Sequence, residues 1–149
     1  MSNEVSQILD GIKTRVQAVL GSEYTELGFI LDVSKNPFKG ATKRYGILAG
    51  DIIEVEDSGV TGAYTVEQDF KIKLTNKHAT SQAGDSSRRE TMVDLLEKSL
   101  LIYKDLVSTR VGVPTLVLRV LDGMTTESNY LDEVCESTMN IRVLYRVNL

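Results

Sequence analysis

The chain has 149 residues, of which 42% are hydrophobic and 26% are charged, and its net charge is −4. This is the size and composition of one globular domain, which can bury a core without disulfides or metal ions. The acidic balance argues against duplex nucleic acid as the main partner, because proteins that bind a duplex usually present a basic face. The single cysteine forms no intramolecular disulfide, no apolar run reaches the length of a membrane span, and the polar start of the chain lacks the layout of a secretion signal. We therefore expect an intracellular product without a membrane partner.

The first predicted element is a helix that ends at Gly21. Ser2 or Asn3 can cap its beginning. Gly11 lies inside this helix at a cost of up to about 1 kcal/mol relative to alanine, so it either marks close packing or has no structural role. Apolar residues recur at helical spacing and form one stripe: Val5, Ile8, Leu9, Ile12, Val16, Val19 and Leu20.

Two strands and a long loop are predicted next. Residues 24–33 alternate loosely between apolar and other side chains, which favours a strand. Residues 34–46 contain four cations, a proline, two glycines and two aromatic residues, a composition typical of a loop. Ile52, Ile53 and Val55 then predict a short strand, and residues 57–62 are rich in turn-forming side chains.

The strand with the clearest pattern covers residues 66–75. Val66, Phe70, Ile72 and Leu74 alternate with charged residues, so one face of the strand is expected on the core and the other in water. Gln68 interrupts the apolar face.

A second long helix is predicted after a polar loop at residues 76–85. Ser87 followed by Glu90 fits a capping box, and the pattern continues to about Ser108. Its apolar positions predict one wide buried face: Met92, Leu95, Leu96, Ser99, Leu100, Tyr103, Leu106 and Val107.

Two further strands are predicted at residues 115–121 and 139–147. The first is almost continuously apolar, which indicates burial on both faces or a central position in the sheet. The connection at residues 122–137 is acidic, contains no Lys or Arg, and is too long for a tight hairpin turn. The order of elements predicts a single α+β domain over residues 1–149, in which two main helices pack on a mostly antiparallel, mixed sheet of four to five strands.

Residues suited to catalysis or metal binding are sparse. His78 is the only histidine and lies in a polar loop, and Cys135 lies beside Glu133 and Glu136, whose charges disfavour a thiolate. A zinc site needs clustered Cys and His, and the spacing of the acidic connection does not match the twelve-residue calcium loop. We therefore predict no catalytic residue, no metal site and no cofactor.

The charge pattern instead suggests contacts between proteins. A basic segment within residues 34–46 and the acidic connection have opposite signs and can meet between neighbouring copies, as in contacts that close into rings. The last strand adds two outward-facing arginines. The predicted interface residues are Lys35, Phe38, Lys39, Lys43, Arg44, Tyr45, Glu127, Asp132, Glu133, Glu136, Arg142 and Arg146.

The layout of the whole chain resembles the tail terminator (tail completion, or neck) proteins of tailed bacteriophages. The likeness covers nearly all 149 residues. Its features are an N-terminal amphipathic helix, a loop with Asn36-Pro37-Phe38-Lys39 and Lys43-Arg44-Tyr45-Gly46, the strand at residues 65–75, the helix that begins near Arg88-Arg89, and a last strand that ends Val143-Leu144-Tyr145-Arg146-Val147.

The resemblance implies a structural virion protein, made in the host cytoplasm and located in the tail or neck. Such proteins form homo-oligomeric rings, commonly hexameric, that end polymerisation of the tail tube and join the tail to the head connector. The implied partners are further copies of the chain, the tail tube protein, head connector or neck proteins and, in a contractile tail, the sheath. DNA is expected to pass through the ring without specific binding, which an acidic lumen would favour. The resemblance transfers no catalytic residue.

Three alternatives remain open at this point. The first is another head–tail adaptor or a baseplate component. The second is a small nucleic-acid-binding domain that uses Lys35, Lys39, Lys43 and Arg44 on phosphates, with aromatic stacking. The third is an enzyme whose site is assembled from scattered carboxylates.

Overall fold

The computed structural model describes residues 4–26, 43–77, 84–121, 123, 125–131 and 134–149, and for residues 77, 84–88, 126–131 and 134 it describes the backbone alone. The described part forms one sheet with helices on one side. The helices are α1 (Glu4–Leu20) and α2 (Gly84–Thr109). The strands are β1 (Thr25–Glu26), β2 (Lys43–Asp57), β3 (Ala63–Lys77), β4 (Val117–Val120), β5 (Thr125–Leu131) and β6 (Val134–Asn148).

The sheet is mixed and mostly antiparallel. Its order is β1-β2-β3-β6-β4, and β5 pairs with β6 as well. The pairing of β1 with β2 is parallel, and the other described pairings are antiparallel. The predicted α+β fold class is confirmed, with more strands than expected because part of the acidic connection is a strand.

The long pair β3–β6 forms the centre of the sheet. The two strands pair from Ala63–Asn148 to Lys77–Val134, and Phe70 lies directly opposite Ile141. Both side chains are fully buried against the helices. The period-two alternation predicted for residues 66–75 is therefore confirmed as far as Leu74, whereas Thr75, predicted on the water face, is buried. The strand extends beyond both predicted ends.

α1 packs its predicted stripe on the sheet. Ile8, Ile12, Val16 and Leu20, spaced by four residues, are all buried. The helix ends at a 3₁₀ turn (Gly21–Glu23) that begins with Gly21 at a φ of 68°, a conformation that glycine adopts easily. The predicted end of the helix is confirmed.

Gln68, which interrupts the apolar face of β3, is satisfied by two hydrogen bonds. The hydroxyl of Tyr145 donates to Gln68 Oε1 at 2.6 Å, and Gln68 Nε2 donates to the backbone oxygen of Gly50 at 3.0 Å. Gln68 and Tyr145 are both buried. A polar side chain is tolerated here because both of its ends have partners.

The two helices are joined at a close contact beside Gly11. A Cβ atom on Gly11 would lie 2.5 Å from the backbone oxygen of Val111 and 2.8 Å from Val113 Cγ2. Val111 lies in a second 3₁₀ turn (Arg110–Gly112) and has a φ of 64°, which is rare for a β-branched residue. Arg15 on α1 donates to both carboxylate oxygens of Asp105 on α2, at 2.6 and 2.8 Å. Gly11 therefore marks close packing.

Several predicted boundaries are wrong, and tertiary pairing explains each of them. Residues 43–46, predicted in a loop, belong to β2, because Tyr45 pairs opposite Leu74 and is buried with it. Of the strand predicted at residues 24–33, only β1 lies within the described residues. The connection at residues 122–137 contains β5 and the beginning of β6, which form a hairpin. Polar residues suit β5 because β6 completes its backbone hydrogen bonds.

β4 is an edge strand, and its predicted central position is wrong. Its only described partner is β6, and Leu118 and Arg119 are exposed. The segment at residues 115–121 contains more apolar residues than β4 buries, because only Val117 and Val120 of the strand face the core. α2 also begins earlier than predicted, at Gly84 rather than Ser87.

Three tyrosines predict how stability depends on pH. Burial raises the pKa of Tyr24, of Tyr45 and of Tyr145 above the ordinary value of 10.0, and the charges of Asp94 and Glu23 add to the effect on Tyr24. The folded state therefore holds these protons more tightly than the unfolded state, so the contribution is complete below about pH 10 and is lost as the pH rises beyond it. We expect the free energy of unfolding, measured in urea between pH 8 and pH 11.5, to fall at the alkaline end.

The matched control is Tyr45→Phe, which removes one of the titrating groups and leaves the lysines that also titrate in this range. Its stability should fall less steeply with pH than that of the wild type. Equal slopes for the two proteins would contradict a contribution from Tyr45.

Candidate interaction surfaces

The residues considered for catalysis or metal binding form no described site. His78 lies outside the described residues, and Cys135 is fully buried in the core. Within the described ranges, no group of three or more His, Cys, Asp or Glu side chains is placed to hold a metal ion. None of the described helices has the length and apolar character needed to cross a membrane.

The basic segment does not form one exposed surface. Lys35, Phe38 and Lys39 lie outside the described residues. Arg44 and Tyr45 are buried, so the expected exposure of Tyr45 is wrong. Lys43 Nζ lies 3.4 Å from Glu23 Oε2 and 5.6 Å from the centre of the Tyr24 ring. Lys43 on β2 thus contacts the end of the 3₁₀ turn and the residue that follows it, just before β1.

The acidic connection is only partly described. Asp132 and Glu133 lie outside the described residues, and Glu127 is described only by its backbone in β5. Glu136 is buried on β6, with its Oε2 atom 3.9 Å from Lys73 Nζ on β3. Because its side chain is buried within the fold, Glu136 is not available to a partner protein.

The two arginines of β6 differ. Arg142 Nε donates to Asp69 Oδ1 at 2.9 Å, and its guanidinium lies 3.8 Å from Glu67. The hydrogen bond and the charge of Asp69 raise the pKa of Arg142. Arg146 is exposed near the end of the strand. Arg142 therefore serves cross-strand pairing, and Arg146 is accessible.

Of the two described helices, α2 is the one that carries large exposed hydrophobic side chains. Val93, Leu96, Leu100 and Val107 are between 42% and 55% exposed, and they recur at spacings of three, four and seven residues, which place them on one side of the helix. The same line includes Arg89 and Lys104, which are exposed. We call this line the α2 stripe. It consists of Arg89, Val93, Leu96, Leu100, Lys104 and Val107.

This stripe corrects the single wide buried face predicted for the helix. Leu95, Ile102 and Leu106 face the core, whereas Leu96, Leu100 and Val107 do not. The signal was present in the sequence, because apolar positions cover more of the circumference than one core face needs. A helix that is apolar on more than one side is usually buried on more than one side.

A second exposed apolar surface lies at the far end of the β2–β3 hairpin. Ile52, Ile53, Val55 and Val60 are between 45% and 64% exposed. We call residues 50–62 the arm. It contains four acidic residues and no Lys or Arg: Asp51, Glu54, Glu56 and Asp57.

Two β-bulges separate the arm from the body of β2. One extra residue of β2 lies between Ala49 and Ile52, and another between Ile52 and Glu54, relative to the partner strand. Gly50 sits at the first bulge, where a Cβ atom would approach the backbone oxygen of Asp69 to 3.0 Å. Bulges bend a strand and increase its twist, so they redirect the arm.

The arm also concentrates negative charge. Glu54 pairs directly with Glu67 on β3. A hydrogen bond with Glu56 and the charge of Glu56 raise the pKa of Glu54. Like charges placed directly opposite each other destabilise a strand pair, and Arg142 of β6 offsets part of this effect because its guanidinium lies 3.8 Å from Glu67.

A cleft of about 450 Å³ lies between α1 and the second 3₁₀ turn, lined by Gln7, Asp10, Gly11, Thr14, Arg15, Gly112 and Val113. Among these lining residues Arg15 is the only cation, and it is already engaged in its bidentate pair with Asp105. The cleft is therefore a weaker candidate for a binding site than either of the two exposed apolar surfaces.

Comparison with known proteins finds similarity among solved structures. No protein-family model matches the chain, and no curated protein matches it. A solved structure described as the virion of a native gene transfer agent particle is similar over 91% of this chain and 92% of that chain, at 10% identity and a TM-score of 0.43. The TM-score is too low to establish a shared fold.

Proposed function

We propose that this protein is a structural component of a phage-like virion that acts by assembling with copies of itself and with other virion proteins, and that it has no catalytic activity. More specifically, we propose a tail terminator that forms a ring, of six copies by the family resemblance, at the head-proximal end of a tail. Its partners would be the tail tube protein and the head connector or neck proteins, and the sheath in a contractile tail. The DNA would pass through the ring without specific binding.

The observation that carries the proposal is the presence of two exposed apolar surfaces on one small chain. Neither the α2 stripe nor the arm is covered by a described part of the chain. Exposed apolar patches rimmed by charged residues mark sites of protein association. The virion particle found by comparison is of the same broad class, but its TM-score is too low to add support.

The nucleic-acid alternative loses part of its residue set. It needed Lys43 and Arg44 exposed on one loop, but Arg44 is buried and Lys43 faces Glu23. No specific observation favours this alternative. Another head–tail adaptor or a baseplate component would use the same exposed surfaces and remains the alternative within structural proteins.

We predict that the purified protein forms a discrete species several times heavier than the 16.5 kDa chain. Multi-angle light scattering at two salt concentrations measures this mass. A species that persists at high salt would indicate that apolar contacts dominate, because salt screens exposed charges.

Electron microscopy then tests the specific role. We expect rings that bind one end of tail tubes and stop their elongation. A protein that stays monomeric alone and also fails to bind tail tubes would contradict the proposed function. Rings that bind elsewhere in the virion would favour the adaptor or baseplate alternative.

A further inference from the structure

We propose that the arm of one copy packs on the α2 stripe of the neighbouring copy. The inference rests on the proposed function, because it names the two surfaces through which copies of a self-assembling protein would meet. It follows from the position of the arm in the sheet, from the character of α2, and from the charges of both.

The arm extends the helix-covered face of the sheet beyond the helices. Ile52 pairs with Gln68, and Val55 pairs with Val66. Directly opposed residues project to the same face. Gln68 and Val66 are buried on the face that α1 and α2 cover, whereas Ile52 and Val55 are more than half exposed. The arm therefore presents an apolar sheet face of the kind that a helix covers in α+β folds.

α2 is the described helix that can supply this cover. None of the large exposed hydrophobic residues within the described ranges belongs to α1, whereas Val93, Leu96, Leu100, Leu101 and Val107 all belong to α2. Within the described part of one chain the two surfaces leave each other exposed, and a second copy of the chain supplies a helix of this character.

The two surfaces differ in charge. The arm carries four acidic side chains and no Lys or Arg, whereas the α2 stripe carries Arg89 and Lys104, with the exposed Glu97 beside it. Asp57 lies opposite Tyr64 and so projects to the same face as Ile52 and Val55, where a cation of a neighbour can meet it, whereas Glu54, opposite Glu67, projects to the other face. The charges therefore favour a contact between the arm and the stripe over a contact between two acidic arms.

The contact joins two different surfaces of the same chain. Such a contact is head-to-tail, and it generates a closed ring or an open filament according to the rotation between copies. A contact of stripe against stripe would instead be two-fold symmetric and stop at a dimer.

Disulfide trapping tests the contact directly. The variant carries Val55→Cys on the arm and Leu100→Cys on the stripe, and the native Cys135 is buried and contributes little background. We expect mild oxidation to give a ladder of covalent dimers, trimers and larger species on a denaturing gel. Mixing the two single variants should give dimers alone. The matched control pairs Val55→Cys with Leu118→Cys, which lies on β4 outside both surfaces and is 39% exposed, and it should give no ladder.

A charge placed in the stripe tests whether assembly needs this contact. Leu100→Asp removes an apolar anchor and puts a carboxylate opposite the acidic arm, so we expect more than about a tenfold loss of association, which corresponds to 1.4 kcal/mol or more. Leu118→Asp is the matched control and should assemble like the wild type. At a concentration where all three proteins are monomeric, both variants should unfold at the temperature of the wild type, because the substituted side chains are exposed and no association adds to the Tm.

The outcomes separate this inference from the proposed function. Wild-type assembly that survives Leu100→Asp, with no ladder from the double cysteine variant, would overturn the arm–stripe contact and leave the proposed function standing. Covalent dimers from Leu100→Cys alone would overturn it in favour of a two-fold contact. A wild-type protein that neither assembles, binds tail tubes nor gives the ladder would overturn both.

Discussion

Replacing Gly11 by alanine should destabilise the protein by about 2–3 kcal/mol, although alanine is the better helix former. The added Cβ atom would lie 2.5 Å from the backbone oxygen of Val111, and this oxygen belongs to a turn that cannot move away easily. Val111 is fully buried and already has a positive φ, and Gly112 beside it has a φ of 84°. The contact between α1 and the turn must therefore open. The gain in helix propensity, up to about 1 kcal/mol, is smaller than the packing loss.

Thermal unfolding measures this effect. For a domain of this size, the expected loss corresponds to a decrease in Tm on the order of 8 °C. Ser6→Ala is the matched control, because it also introduces alanine into α1 but at an exposed position. Its stability should stay within about 0.5 kcal/mol of the wild type. A Gly11→Ala protein as stable as this control would show that the turn relaxes without cost.

Replacing Gln68 by leucine should destabilise the protein by about 1–3 kcal/mol, because it leaves a buried hydroxyl without its partner. Tyr145 loses the acceptor at 2.6 Å, and the backbone oxygen of Gly50 loses the amide donor at 3.0 Å. The second loss falls on the first bulge of β2, so we expect the arm to be held less firmly as well. Leucine has a suitable volume for the core, which leaves the missing hydrogen bonds as the main cause.

A double-mutant cycle with Tyr145→Phe isolates the pair. Removing both polar groups leaves no buried hydroxyl unsatisfied, so the double variant should be more stable than the sum of the two single effects predicts. Urea unfolding of the four proteins gives the interaction energy. Additive losses would show that Gln68 and Tyr145 contribute independently, contrary to the geometry. Amide exchange of the arm, compared between wild type and Gln68→Leu, reports on the bulge separately.

Local patterns in the sequence were sufficient for the elements that pack on the core. The four-residue spacing of Ile8, Ile12 and Val16 and the alternation around Phe70 each describe one apolar face, and the structure buries both faces. Gly21 indicated the end of α1 because a positive φ is easily reached by glycine. Such elements depend mainly on their own side chains, which is why the α+β class was predicted correctly.

Other elements depended on partners that are distant in the sequence. β5 is polar and has no apolar alternation of its own, and it is a strand because β6 lies beside it. Tyr45 lies in a segment with the composition of a loop, and its burial depends on Leu74 across the sheet. β4 is apolar enough for a central strand, yet it is placed at an edge.

The residues of the candidate interface likewise depend partly on the sequence and partly on the tertiary structure. The sequence by itself determined that α2 is apolar, that residues 50–62 combine apolar and acidic side chains, and that catalytic groups are sparse. Only the tertiary structure decided which apolar residues of α2 the core uses, because one side of the helix meets the sheet and leaves Leu96 and Leu100 exposed. It also decided that Arg44 and Glu136 are buried, since their strands pair on either side of β3. Composition states what a segment contains, whereas exposure depends on which other segments cover it.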